Sequence, residues 1–289
     1  MKSPLRLTTL LAVLALAGPA LPAGKARRDI EYATVDGQSL KLDWYPAEKT
    51  TNPAPLLIYI HGGAWSKGSR SNPPIAPMTE KGFAVASVDY RLTPVAPFPA
   101  NVHDLKAAIR FLRAKAGEFG CDPKRFVIVG SSAGGHLAAL VGVSHGCQEL
   151  EGELGDHRSV SSDVQAIVSF YGAGNLQTIL GQSTPHGLSV RVPALQLLLG
   201  GQPDEKPALA RLASPVAHVD AHDPPLLLIH GDADPQMPIE QSRELQAAYQ
   251  KAQRPVEFIV MPGSSHGGPE FYDAERLSLV ETFLRAQLR

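Results

Sequence analysis

The sequence predicts an α/β fold, an open and mostly parallel eight-stranded sheet with helices on both faces, and three observations carry that prediction. Six apolar runs lack the polar alternation of a half-exposed strand, as expected for strands covered on both faces in a parallel sheet. Stretches of helical periodicity separate most of them, which implies right-handed β-α-β crossovers. At 289 residues, with 44% hydrophobic and 19% charged content, the chain can bury one such core and has an ordinary globular composition.

In chain order, residues 1–23 read as an address and not as part of that core. Lys2 and Arg6 precede an apolar run over residues 7–17, which breaks at Gly18-Pro19 and ends in small residues up to Ala23. This is the pattern of a secretory signal peptide cleaved after Ala23. The run is shorter than the roughly 20 residues of a membrane span, and no later stretch approaches that length. The expectation is an exported protein, periplasmic or extracellular, without a membrane anchor and with its domain over residues 24–289. Export bears on Cys121 and Cys147, since thiols outside the cytosol are often paired. The element order puts both at one edge of the sheet, which leaves open either a disulfide or two small free thiols.

Residues 30–35 and 39–44 flank Asp36-Gly37, a strong hairpin signal, so an antiparallel pair opens the domain. The buried strands follow at residues 55–60, 83–89, 126–129, 164–170, 226–229 and 256–260, and helices are expected at 101–115, 133–143, 239–251 and 270–288. In the first helix Val102, Leu105, Ile109 and Leu112 recur at helical spacing and form one apolar face. Residues 172–224, with Gly and Pro scattered through them, show no regular period and are expected to be loops that shape a pocket. The 27 basic and 28 acidic residues give a charge of −1, which becomes −3 without the two cations of the leader. A nucleic-acid binder would show a basic excess or stripe, and none is present.

The chemistry concentrates after the strands. Gly130-Ser131-Ser132-Ala133-Gly134 follows one predicted strand and opens a helix, the context of a nucleophile elbow with Ser132 at its tip. Glycines are needed because a sharp strand-to-helix turn crowds backbone on backbone, and the helix start offers partial positive charge to a developing oxyanion. His61-Gly-Gly-Ala64-Trp65 follows the first long buried strand. Its glycine pair allows N–H groups to point into a site, so the N–H groups of Gly63, Ala64 and Ala133 are the expected oxyanion donors. His61 reads as a loop brace. Trp65 suits either a pocket wall or a core cap, and Phe170 and Tyr171, ending a strand on the active side, are further pocket candidates. A serine nucleophile needs a base and a group to orient it. Asp232 and Asp234 follow one late strand and His266 follows the last, in the chain order Ser, Asp, His of the hydrolase triad.

Several features have plainer readings. His218, Asp220, His222 and Asp223 are metal-ligand types, yet they precede a buried strand at the edge away from the site, so a solvated turn is expected and no metal. His136 is expected to pack or brace. Asp104 and Arg91 are expected to fix loops.

Taken together, His61-Gly-Gly-Ala-Trp65, Asp89-Tyr-Arg-Leu92 with Pro97-Phe-Pro-Ala100, Gly130-Ser-Ser-Ala-Gly-Gly135, Gly231-Asp-Ala-Asp-Pro235 and Ser265-His266-Gly267 resemble an α/β-hydrolase esterase of the hormone-sensitive-lipase and feruloyl-esterase-like (BD-FAE-like) group. The resemblance spans nearly all of the chain after the leader. It implies that Asp234 is the triad acid while Asp232 serves the turn, that no cofactor is used, and that the substrate is a small-molecule or carbohydrate-linked ester with an acetyl, short acyl or hydroxycinnamoyl group. Ala64 replaces a third glycine common in the group, and Ser131 and Val95 stand where relatives often carry acids, which favours the feruloyl- or acetyl-esterase branch. An amidase such as an arylformamidase, a small peptidase, or a non-catalytic binding module on the same fold are the alternatives.

Overall fold

The computed structural model describes residues 25–48, 50 and 53–288, so the leader read over residues 1–23 lies outside the described residues. Eight strands are β1 (Arg27–Val35), β2 (Gln38–Tyr45), β3 (Ala54–Ile60), β4 (Ala84–Val88), β5 (Cys121–Ser131), β6 (Ala166–Phe170), β7 (Leu226–Gly231) and β8 (Val256–Met261). The helices are α1 (Ala100–Ala114), α2 (Ala116–Phe119), α3 (Ala133–Val143), α4 (Gln148–Glu151), α5 (Ile179–Gln182), α6 (Pro185–Leu199), α7 (Pro207–Leu212), α8 (Glu240–Lys251) and α9 (Ala274–Gln287). Among the described residues, no helix is long and apolar enough to cross a membrane.

The strands form one sheet in the order β1-β2-β4-β3-β5-β6-β7-β8, with β1, β2 and β4 paired antiparallel and every other pair parallel. The opening hairpin turns in two residues, because Val35 pairs with Gln38 while Asp36 and Gly37 both hold positive φ. Successive residues of β3 alternate between two buried layers. Leu56, Ile58 and Ile60 belong to the layer that holds α1, α3 and α8, whereas Leu57 and Tyr59 belong to the layer that holds α9 and the turn around Met78. That two-sided burial explains the unbroken apolar runs. β8 departs from this expectation: as the edge strand it leaves Glu257 and Val260 exposed, so it is not buried on both faces.

Residues 172–224 are more helical than their sequence suggests. α6 carries Pro193 in its interior and no strong apolar stripe, which hides the helical period. Its start is nevertheless well marked, with Thr184 Oγ1 accepting from Gly187 N at 3.0 Å and proline at the first position. Cys121 and Cys147 are free thiols: Cys121 is buried and points at Ala116 O, and Cys147 is half-buried beside Glu149.

Because β3, β5, β6, β7 and β8 run parallel, His61, Ser132, Tyr171, Asp234 and His266 all leave the sheet at one edge. Loops at the carboxyl ends of parallel strands are where sheets of this kind build sites.

Candidate active site

Ser132 sits between β5 and α3 at φ 54 and ψ −119, a backbone state that an L residue holds only when its surroundings enforce it. The enforcement comes from glycine packing. A Cβ on Gly130 would lie 2.1 Å from Gly134 O, and one on Gly134 would lie 2.1 Å from Ile60 O. The elbow is therefore pressed against itself and against the end of β3, and Ser132 N donates to Phe170 O at 2.9 Å from the other side.

The loop after β3 meets the elbow in the same way, since a Cβ on Gly62 would stand 2.9 Å from Ser131 O. Gly63, Ala64 and Trp65 all hold positive φ. Ala64, standing in place of a third glycine, accepts φ 52, the left-handed region that costs a residue with a Cβ about 1 kcal/mol. Among the described residues, the N–H groups of Gly63, Ala64 and Ala133 have no protein acceptor. Ala133 is the first residue of α3, where such N–H groups are left open by helix geometry. His61 braces this loop: its ring stacks on Tyr90 at 4.5 Å, its Nδ1 reaches Gly62 O at 2.8 Å, and Tyr90 OH donates to His61 O.

His266 connects the two halves of the site. Its Nε2 lies 2.9 Å from Ser132 Oγ and its Nδ1 lies 2.6 Å from Asp234 Oδ2. The other oxygen of Asp234 accepts from the N–H groups of Gln236 and Met237, both at 2.8 Å. Burial alone would raise this carboxyl, but its bonds with His230, His266 and Met237 N–H hold it well below the usual carboxylate range. An ionised Asp234 fixes Nδ1 of His266 as the protonated nitrogen and leaves Nε2 free to accept from Ser132. Asp232 is exposed and instead accepts from Gly263 N at 2.6 Å, tying the β7 and β8 loops together.

The three pocket candidates divide between core and site. Trp65 and Phe170 are completely buried, so they pack and do not line an open pocket. Trp65 Nε1 donates to His136 Nδ1 at 3.1 Å, and His136 Nε2 donates to Ala213 O at 2.7 Å, tying the loop after β3 to α3 and to the end of α7. Tyr171, 6% exposed, packs its ring edge-on against His266 at 5.0 Å and shares a hydroxyl bond with Tyr272 at 2.8 Å. Burial pushes both phenols up, which keeps them protonated. Asp104 and Arg91 do fix a loop, with Asp104 fully buried under the guanidinium and backbone N–H of Arg91.

Three further side chains complete the surroundings, of which His230 and Arg191 carried no signal in the sequence. His230, fully buried, places Nε2 3.4 Å from Asp234 Oδ2. Ser131 Oγ bonds Tyr59 OH at 2.9 Å. Arg191 of α6 is completely buried, with its guanidinium carbon 5.9 Å from the Trp65 ring, and burial pushes it down to about 10.

A parallel sheet with a strained serine at a strand-to-helix elbow, and histidine and acid loops following its last two strands, defines an α/β-hydrolase. The chain matches the BD-FAE family over residues 42–249 and belongs to it. It is 33% identical over 245 residues to Esterase LipC of Mycobacterium tuberculosis, covering 83% of this chain and 59% of that protein, so it spans about six-tenths of that relative's length. Among solved structures, a truncated form of a carbohydrate esterase from gut microbiota superposes with a TM-score of 0.83 at 33% identity, covering 93% of this chain and 99% of the other. A thermophilic esterase of Thermogutta terrifontis with propionate bound gives 0.74 at 28% identity, covering 92% and 94%.

Proposed function

We propose that the protein is an exported serine carboxylesterase that hydrolyses small carboxylic esters through an acyl-enzyme. The observation that carries this reading is His266 held between Ser132 Oγ and an ionised Asp234 at hydrogen-bond distance on both sides. Ser132 Oγ attacks the ester carbonyl carbon and its proton passes to His266 Nε2, while Asp234 stabilises the imidazolium through Nδ1. The N–H groups of Gly63, Ala64 and Ala133 receive the oxyanion. His266 then protonates the departing alcohol, and a water repeats the sequence on the acyl-Ser132 ester to release the acid. The propionate bound to one structural neighbour, and the fact that another is a carbohydrate esterase, support short acyl groups, some on sugar hydroxyls, as substrates. Export rests on the leader read over residues 1–23.

The test is turnover of p-nitrophenyl acetate, propionate and octanoate together with an acetylated oligosaccharide. Ser132→Ala is expected to lower kcat by roughly four to six orders of magnitude with the fold retained, and a fluorophosphonate is expected to label Ser132. Hydrolysis that survives the substitution nearly intact, or that runs faster on a matched amide than on the ester, would defeat the assignment.

A further inference from the structure

The edge of the sheet opposite the active site carries a second cluster of reactive side chains, drawn from parts of the chain far apart in sequence. His145 follows α3, and Asp220 and Asp223 precede β7. His145 Nδ1 is 3.4 Å from Asp223 Oδ1, and His145 Nε2 is 3.4 Å from Asp220 Oδ2. One ligand atom from each residue can be chosen so that all three lie within 4.8 Å of one another. The turn expected here to be solvated is only half so, because Asp223 is completely buried.

Asp223 is the second and more pointed observation. Its Oδ2 accepts from Asp220 N at 2.8 Å, but its Oδ1, fully buried and facing His145, has no hydrogen-bond partner among the described residues. Buried polar atoms are nearly always satisfied, so an orphan carboxylate oxygen asks for an occupant. Arg254 is the nearby cation, and its guanidinium is spent on the carbonyl of Asp223 at 2.7 Å.

We propose that His145, Asp220 and Asp223 form a binding site for a divalent transition ion of the zinc class. A single ion takes one of the two imidazole nitrogens, and the chosen donor atoms of the three residues, all within 4.8 Å of one another, need only small side-chain rotations to reach the spacing of about 3.4 Å between ligands that each stand about 2.1 Å from a tetrahedral ion. One imidazole nitrogen with two carboxylate oxygens is a borderline donor set, suited to zinc more than to calcium or magnesium, which take oxygen shells. The two carboxylates neutralise the ion. Asp220 Oδ1 is held by His222 N at 2.7 Å, which leaves Oδ2 for the metal. The His222 ring stands 6.3 Å from that of His145, and both line a surface cavity of about 450 Å³ from which water or His222 completes the coordination.

Such an ion clamps the end of α3 to the segment entering β7. Those two elements carry Ser132 and the Asp234 loop at their other ends, so the ion acts on the scaffold and leaves the chemistry untouched.

The experiment is calorimetric titration of the EDTA-washed, tag-free full chain with ZnCl2, with CaCl2 and MgCl2 as parallel arms, and Tm read with and without each ion. One zinc per chain is expected, with a Tm rise of about 5 °C or more at a hundredfold excess over Kd and unchanged kcat on p-nitrophenyl acetate. Asp220→Asn, which is half-exposed and does not threaten the fold, and His145→Ala are each expected to weaken zinc binding at least tenfold. The proposal is overturned if the native chain binds no zinc, if either variant binds it as tightly, or if calcium or magnesium binds in its place.

Discussion

The two halves of the site are held by different physics. On the nucleophile side, Ser132 and the loop over residues 61–65 are placed by backbone pressed on backbone at Gly62, Gly130 and Gly134, with approaches too close for any Cβ. On the base side, Asp234 and His266 are placed by hydrogen bonds between side chains and loop N–H groups. The first construction is rigid and unforgiving of added volume, whereas the second depends on where each proton resides. Substitutions on the two sides should therefore fail in different ways, one through stability and the other through chemistry.

Asp234→Asn separates them most sharply. The asparagine Oδ1 can keep the bonds from Gln236 and Met237 N–H, but its Nδ2 donates, so His266 must turn its unprotonated nitrogen toward it and present a protonated Nε2 to Ser132. The base is lost while the fold remains. A fall in kcat of about 10⁴ is expected, with Tm nearly unchanged, and Asp232→Asn should lose less than tenfold. Equal losses at the two positions, measured by ester hydrolysis, would mean that the wrong acid has been placed against the histidine.

Gly134→Ala probes the other side. The new Cβ would sit 2.1 Å from Ile60 O and 2.5 Å from His61 O, so β3 and the oxyanion loop must move off the elbow. A loss of about 4 kcal/mol in urea unfolding is expected, with turnover falling with it. Gly181→Ala in α5, where a Cβ meets nothing within 4 Å, is the control and should be neutral or slightly stabilising. If Gly134→Ala unfolds like the native chain, the elbow is not held by close approach.

The same distinction governs what the sequence disclosed. The backbone-built half was legible because it is local: glycines at fixed offsets after an apolar run can be read without knowing any distant contact, and Gly63, Ala64, Ser132 and Ala133 were found that way. Six strands were visible as unbroken apolar runs, which for all but the edge strand β8 follow from burial on two faces, and the opening pair was visible from the Asp36-Gly37 turn between them. Asp234 could be separated from Asp232 only by resemblance, because two acids two residues apart differ in what their loop N–H groups reach. His230, Tyr272 and Arg191 were illegible, as each owes its place to a partner more than 50 residues away or to a loop turn that has no pattern. Trp65 was left open between two readings and Phe170 was read as a pocket candidate, because an aromatic at a strand end is equally consistent with a pocket wall and with a core plug. The pairing of His145 with Asp223 was hidden by the 77 residues between them, closed only by the β-α-β winding.

His136 is a titrating side chain packed into the backbone-built half, and it tests whether that half is indifferent to protons. With Nδ1 accepting from Trp65 and Nε2 donating to Ala213, the ring has no position for a second proton. Burial pushes it down to about 4, against about 6.5 in an unfolded chain. Between those values the unfolded state binds more protons than the native state, so stability from this residue is complete above about pH 6.5 and declines as pH falls toward 4, by about 3 kcal/mol in all. His136→Gln can repeat both bonds, with Oε1 accepting and Nε2 donating, but it does not titrate. Urea unfolding at pH 7, 5.5 and 4 should therefore show the variant gaining on the native chain by up to that amount, while kcat at pH 7 stays within a few fold. A native and variant pair that lose stability in parallel over this range would mean that His136 carries no proton-linked strain, and that the Trp65 tie is a packing contact alone.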